Sequence, residues 1–243
     1  MKVALITGAS KGIGKACAIR LAKDGYTVVI NYSSSDAAAR QTLEQIEADG
    51  GQGMTYKADV SKLAEVKQMV RDVFKAYGRI DVLVNNAGIV RDEYLLMINP
   101  ETLDKCIDLN VKGYFYAAQQ VALKMFKQKS GVIVNMSSVS SKFALAGQSV
   151  YSATKGAVNS LTQTLAKELG GYGIRVNAVA PGFIATEMID AIPEEKRAAY
   201  LEKIPLKRFG TADEVASMVS ALVSDQFAYV TGQVFVLDGG LSL

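Results

Sequence analysis

The chain has 243 residues, 49% of them hydrophobic and 21% charged, which is enough to bury a large core as one α/β domain over residues 1–243. Its net charge of +3 is spread along the chain without a dense basic block, which argues against a nucleic-acid partner. It contains no histidine, which excludes Ser-His-Asp and Cys-His nucleophilic sites and removes the commonest transition-metal ligand, so no metal site is expected.

Acid–base chemistry must therefore come from Tyr, Lys, Asp, Glu or a cofactor. Cys17 and Cys106 lie in apolar helical patterns outside any C-x-x-C pair and read as buried free thiols in a reducing compartment. No apolar run reaches the length of a membrane span, and a cytoplasmic location without membrane contact is expected.

In chain order, the run Val3–Thr7 predicts a strand that leads straight into Thr7-Gly8-Ala9-Ser10-Lys11-Gly12-Ile13-Gly14, with a helix beginning near Ile13. Glycines between a strand and a helix let a pyrophosphate approach backbone N–H groups at the positive end of the helix. A second strand, Thr27–Asn31, ends in Asn31-Tyr32-Ser33-Ser34, where an NAD-binding unit usually presents a carboxylate to the ribose. The first acid beyond it, Asp36, is expected to cap the next helix. With no carboxylate there to repel a 2′-phosphate, and with Lys11, Ser33 and Ser34 at hand, NADP(H) is favoured over NAD(H); Lys11 read alone is also an ordinary solvated lysine.

Strands follow at Met54–Ala58, Val82–Asn85, Val132–Met136, Arg175–Val179 and Val234–Leu237. Helices are expected from Leu63, Pro100 and Tyr151, with further helical pattern after Thr186 and after Thr211. This alternation predicts a Rossmann fold, a seven-stranded parallel doubly wound sheet with helices on both faces. The four prolines, Pro100, Pro181, Pro193 and Pro205, fall at expected loops or helix edges. Helix Val111–Lys129 carries Tyr114, Phe115, Tyr116, Val121, Leu123 and Phe126 on more than one face, and helix Tyr151–Leu169 is similar; the second faces meet either another subunit or the monomer's own core.

Tyr151 and Lys155 stand one helical turn apart, so the ammonium can lie near the phenol. Chance alone yields about one such pair in a chain of this composition, and the weight comes from placement. Ser137 and Ser138 follow directly on Val132–Met136, at the sheet edge where ligands bind, and Tyr151 opens the next helix. Bringing a phenol of pKa about 10 to neutrality takes about 4 kcal/mol. An ammonium about 4.5 Å away at an effective dielectric of about 20 supplies about 3.7 kcal/mol, so one lysine nearly suffices.

Thr7-Gly8-x3-Gly12-x-Gly14, Asp59-Val60, Asn85-Asn86-Ala87-Gly88, Asn110, Ser138, Tyr151-x3-Lys155 and Pro181-Gly182-x3-Thr186 together resemble the short-chain dehydrogenases/reductases over essentially the whole chain. The resemblance implies that Gly8, Ser10, Lys11, Gly12, Ile13 and Gly14 with Asn31, Ser33 and Ser34 bind the nucleotide. It places Asp59 and Val60 at the adenine, and Asn86, Ala87 and Gly88 along the cleft. Pro181, Gly182, Ile184 and Thr186 would lie at the nicotinamide, with Ile184 and Thr186 orienting its carboxamide.

The resemblance also implies that Tyr151 is the proton donor and that Ser138 holds the substrate carbonyl, with Ser137 as the alternative. Lys155 would support Tyr151 and bind the ribose, and Asn110 would break its helix and hold a water of a proton relay. Read singly, Asn110 is also a mid-helix polar residue, Ser138 a loop hydroxyl and Thr186 a helix N-cap.

Within the family, Gly88-Ile89-Val90-Arg91-Asp92, Leu95-Leu96-Met97 and the ending Val236-Leu237-Asp238-Gly239-Gly240 look most like 3-oxoacyl-[acyl-carrier-protein] reductases and their acetoacetyl-CoA reductase relatives, although Val90 stands where a threonine is usual. That likeness implies an acyl thioester on an acyl carrier protein as substrate, hydride delivery from the pro-S face and a homotetramer. Lys124, Lys127 and Lys129 would grip the acidic carrier, or simply form a solvated helix end; Tyr172 stands where a second basic contact is expected. Other ketones and a non-catalytic nucleotide sensor are the alternatives. An enoyl reductase is disfavoured because Val158 occupies the position of its more distant lysine.

Overall fold

The structure, a computed structural model, describes residues 1–186 and 194–243; Pro193 and the helical pattern expected directly after Thr186 lie outside the described residues. The strands of the main sheet are β1 (Lys2–Ile6), β2 (Tyr26–Tyr32), β3 (Gln52–Lys57), β4 (Val82–Asn85), β5 (Gly131–Met136), β6 (Ile174–Pro181) and β9 (Val234–Leu237). They form one seven-stranded sheet in the order β3-β2-β1-β4-β5-β6-β9, and every neighbouring pair is parallel. This is the expected Rossmann-type sheet. Pro181 differs from expectation by closing β6 rather than lying in a loop. The short strands β7 (Ile184–Ala185) and β8 (Gly210–Thr211) pair separately.

The helices are α1 (Gly12–Lys23), α2 (Asp36–Ala48), α3 (Leu63–Tyr77), α4 (Pro100–Ile107), α5 (Gly113–Gln128), α6 (Ser149–Leu169), α7 (Glu194–Lys203) and α8 (Ala212–Val223). Alternation along β1 shows how the sheet holds two layers. Ala4 and Ile6 join a core that includes Cys17 and Leu21 of α1 and Val219 and Leu222 of α8. Val3 and Leu5 join the opposite core, with Val66, Met69 and Val73 of α3 and Val121 and Met125 of α5. Both cysteines are free and buried. Among the described residues, no helix is long and apolar enough to cross a membrane.

The sheet order reverses between β1 and β4, so the crossovers from these two strands leave in opposite directions. A crevice opens at their C-terminal ends, which is the ligand position of an open parallel sheet.

Candidate active site

At the end of β1 the polar side chains hold the backbone. Thr7 Oγ1 accepts the N–H groups of Asn86 (2.9 Å) and Ala87 (3.1 Å). Asn86 Nδ2 donates to the carbonyls of Thr7 and Gly8, both at 3.0 Å. Asn31 is buried; its Oδ1 accepts from Gly8 N–H (3.3 Å), and its Nδ2 donates to the carbonyls of Tyr56 (3.3 Å) and Ala58 (3.0 Å). Asn31 thus braces the glycine turn from behind, with its side chain turned into the protein rather than into the crevice.

Gly8 takes φ +62°, and a Cβ there would lie 2.8 Å from Ala87 Cα, while a Cβ on Gly14 would lie 2.4 Å from Gly8 O. Gly12, at φ +57°, is different, since a Cβ would meet nothing nearer than Thr186 Cγ2 at 3.9 Å. Gly12 thus faces the Thr186 methyl at ordinary contact distance. Behind it α1 begins with no acidic residue in its first turn, so the positive end of the helix is uncompensated. The donor set fits a pyrophosphate, with Ser10 and Ile13 partly buried beside it and Lys11 exposed as the helix N-cap residue.

Ser33 and Ser34 are exposed at the corner between β2 and α2. Asp36 does not cap α2. Ser35 is the N-cap residue and Asp36 the first helical one, its carboxylate taken by the Tyr32 hydroxyl and by Arg40 Nε at 2.8 Å. Asp59 Oδ1 accepts from the Ser61 N–H (3.0 Å) and hydroxyl (2.7 Å), and Val60 is buried. Gly88 lies where a Cβ would come within 3.2 Å of Asn110 Oδ1. Across the crevice, Gly182 packs on Asp238, Ile184 is buried, and Thr186 Oγ1 donates to Ile184 O (3.3 Å).

The helix expected over Val111–Lys129 starts later, because Asp108–Lys112 forms a wide π turn before α5 and Lys129 closes the helix at φ +59°. Asn110 sits fully buried in that turn. Its Oδ1 accepts from Ile89 N–H and its Nδ2 donates to Ile89 O, each at 2.9 Å, and to Thr154 Oγ1 at 3.2 Å. The side chain therefore ties the β4 exit to α6.

The structure separates the two serine candidates. Ser137 Oγ donates to Asn159 Oδ1 at 2.6 Å, away from the crevice. Ser138 lies beside the Tyr151 phenol and donates to Ser140 Oγ (3.2 Å); Ser140 donates to Gln148 Oε1 (2.8 Å), and Gln148 Nε2 to Asp92 (3.1 Å). Lys155 is buried beneath, with Nζ donating to Met136 O (2.7 Å) and Tyr114 Oη (3.3 Å) and lying 5.6 Å from the Tyr151 ring centre.

The electrostatics differ from the pairwise expectation. Burial, and secondarily the Asp92 charge, push the Tyr151 phenol up to about 12 against the opposing hydrogen bond from Ser138. Burial also brings the Lys155 ammonium down to about 7. The sequence argument counted one ammonium against one phenol and omitted desolvation, which disfavours both charged forms. Burial thus favours the protonated phenol and the neutral amine, the uncharged form of each.

Ser138, Tyr151 and Lys155 thus converge at the ends of β5 and α6, while Asn31 and Asn86 act behind the glycine turn. Tyr114 was not foreseen; its hydroxyl donates to Met136 O (3.0 Å) and accepts from Lys155, but in the sequence it reads as one more core aromatic of α5. Phe115, Leu123 and Phe126 of α5 are exposed. Lys124 and Lys129 lie over the rings of Phe74 (4.8 Å) and Phe126 (5.5 Å), and Tyr172 packs edge-on against Phe126 at 4.6 Å.

A family model described as Enoyl-(Acyl carrier protein) reductase matches residues 8–242. The chain is 44% identical over 240 residues to the 3-oxoacyl-[acyl-carrier-protein] reductase FabG of Staphylococcus epidermidis, covering 99% of this chain and 98% of that protein. It is 46% identical to the 3-oxoacyl-[acyl-carrier-protein] reductase of Synechocystis sp. over 241 residues, 99% of this chain and 96% of the other. With the FabG reductase of Thermotoga maritima it shares 47% over 244 residues, 99% and 97% of the two chains.

Proposed function

The chain belongs to the short-chain dehydrogenase/reductase family and is an oxidoreductase, and from that premise we propose that it uses NADPH to reduce a 3-oxoacyl thioester, carried on an acyl carrier protein, to the 3-hydroxyacyl thioester. The observation that carries this reading is the pair of hydroxyls, Ser138 and Tyr151, that meet at the sheet edge above a buried Lys155. Two O–H donors converging on one point suit a ketone oxygen. The names of the relatives supply the substrate class.

In this mechanism Ser138 and Tyr151 both donate to the keto oxygen and hold it in place. As the carbonyl carbon accepts hydride, negative charge grows on that oxygen and draws the phenolic proton of Tyr151 onto it. The ammonium form of Lys155 stabilises the phenolate that remains. The nicotinamide, when bound, supplies the hydride.

Toward that cofactor, the backbone of Gly8–Gly14 would hold the pyrophosphate, and Lys11, Ser33 and Ser34 the 2′-phosphate. Asp59 and Val60 would sit at the adenine, Ala87 and Gly88 along the cleft, and Ile184 and Thr186 at the carboxamide. A homotetramer in the cytoplasm completes the proposal, supported by the exposed apolar face of Phe115, Leu123 and Phe126.

The description of the matching family model favours one second reading, an enoyl thioester substrate. The test is a panel assayed with NADPH: a carrier-linked 3-oxoacyl chain, acetoacetyl-CoA, a carrier-linked 2-enoyl chain and a simple diketone. The carrier-linked 3-oxoacyl thioester is expected to give the highest kcat/KM. Turnover of the enoyl thioester or the diketone with none of the 3-oxoacyl thioesters would overturn the proposal.

A further inference from the structure

Asp36, the first carboxylate after β2, does not cap α2 but opens it beside the β2–α2 corner, so its charge, left unmatched, would oppose a phosphate held at that corner. In the structure its charge is matched. One oxygen accepts the Tyr32 hydroxyl and the other faces Arg40 Nε at 2.8 Å, one turn along α2. These contacts hold the carboxyl below its ordinary range, with Tyr32 the larger cause, and Lys57 at the end of β3 acts in the same direction. The same helix lies against the glycine turn, with Thr42 Oγ1 donating to Ala38 O (2.9 Å) and lying 3.3 Å from Ser10 O beside Lys11. The Asp36–Arg40 pair therefore borders the corner that carries Lys11, Ser33 and Ser34. Both partners are largely exposed, so the pair adds little to fold stability and its consequence lies in the local charge.

We propose that Arg40 is a specificity-determining residue that acts through Asp36: by pairing with that carboxylate it removes the repulsion that a ribose 2′-phosphate would otherwise meet at the β2–α2 corner. This rests on the reading of the crevice as a nicotinamide nucleotide site. It differs from a direct phosphate contact, because the effect of Arg40 depends on Asp36 being present. An unmatched carboxylate near a dianion at solvent-like dielectric weakens binding about tenfold. An uncharged ribose hydroxyl meets no such repulsion.

Binding of NADPH and of NADH is measured separately by fluorescence titration for the wild type, Arg40→Ala, Arg40→Lys, Asp36→Asn and the double variant Arg40→Ala/Asp36→Asn. Arg40→Ala is expected to weaken NADPH about tenfold while NADH stays within about twofold, which also shows that the variant is folded. Arg40→Lys keeps the wild-type ratio, and the double variant regains it. The inference is overturned if Arg40→Ala leaves the NADPH:NADH ratio unchanged, if the double variant stays as weak as the single one, or if the wild type shows no preference. A wild type that binds neither nucleotide overturns the proposed function as well.

Discussion

At the β1–β4 end of the crevice the polar side chains are tied to the backbone, whereas at the β5–α6 end they are tied mostly to one another. Thr7, Asn31 and Asn86 together bind seven backbone groups, Gly8 N–H among them, and so hold the turn from behind while the N–H groups further along it are left to meet a ligand. Ser138 and Tyr151 instead lie side by side among other side chains, with burial setting the proton affinity of Tyr151 and of Lys155 below it. Phosphate recognition needs fixed dipoles, so the best structure is a rigid backbone held from behind. Proton transfer needs a proton that can leave, and that proton must sit on a side chain.

The sharpest break of this contrast is at Gly14. Its alanine variant places a methyl 2.4 Å from Gly8 O and 2.5 Å from Asn86 Nδ2, both fixed by the hydrogen bonds that hold the turn. NADPH affinity is expected to fall at least about a hundredfold, with a lower unfolding midpoint. Gly12→Ala, with open space around its Cβ, carries only the positive-φ cost of about 1–2 kcal/mol. Equal nucleotide affinities for the two variants, read by titration, would mean that the turn is not held as described.

At the other end, removing the Ser138 hydroxyl acts on the rate. Ser138→Ala is expected to lower kcat about a hundredfold through loss of one donor to the developing oxyanion. Ser137→Ala removes the bond to Asn159, costs about 1 kcal/mol of stability and leaves kcat within a factor of a few. Steady-state rates that reversed the two serines would move the carbonyl to the wrong side of β5.

The sheet was legible because β-branched runs marked every strand to within a residue or two, and β4 and β9 in full. The pairing of β7 with β8 was not, since two-residue strands carry no period. At the glycine turn the spacing pointed to the right stretch, but Asn31 shows the limit of such reading: a residue at a strand end has its position in the sequence and not its direction. Capping rules assigned Asp36 to the helix end, but the Tyr32 hydroxyl and Arg40 claim its carboxylate, one from the preceding strand and one from the next helical turn. The Tyr151 and Lys155 spacing located the proton donor. It could not supply the burial that favours the uncharged form of both groups, because burial belongs to the packing of α5 and α6 around them.

The central claim is that Tyr151 gives up the proton and takes no essential part in holding the nucleotide. Its direct test is Tyr151→Phe, measured for NADPH affinity by titration and for kcat on the carrier-linked 3-oxoacyl thioester. The account predicts an NADPH Kd within about twofold of wild type and a kcat lower by about a thousandfold. A variant that binds NADPH normally and keeps a tenth or more of the wild-type kcat would contradict it.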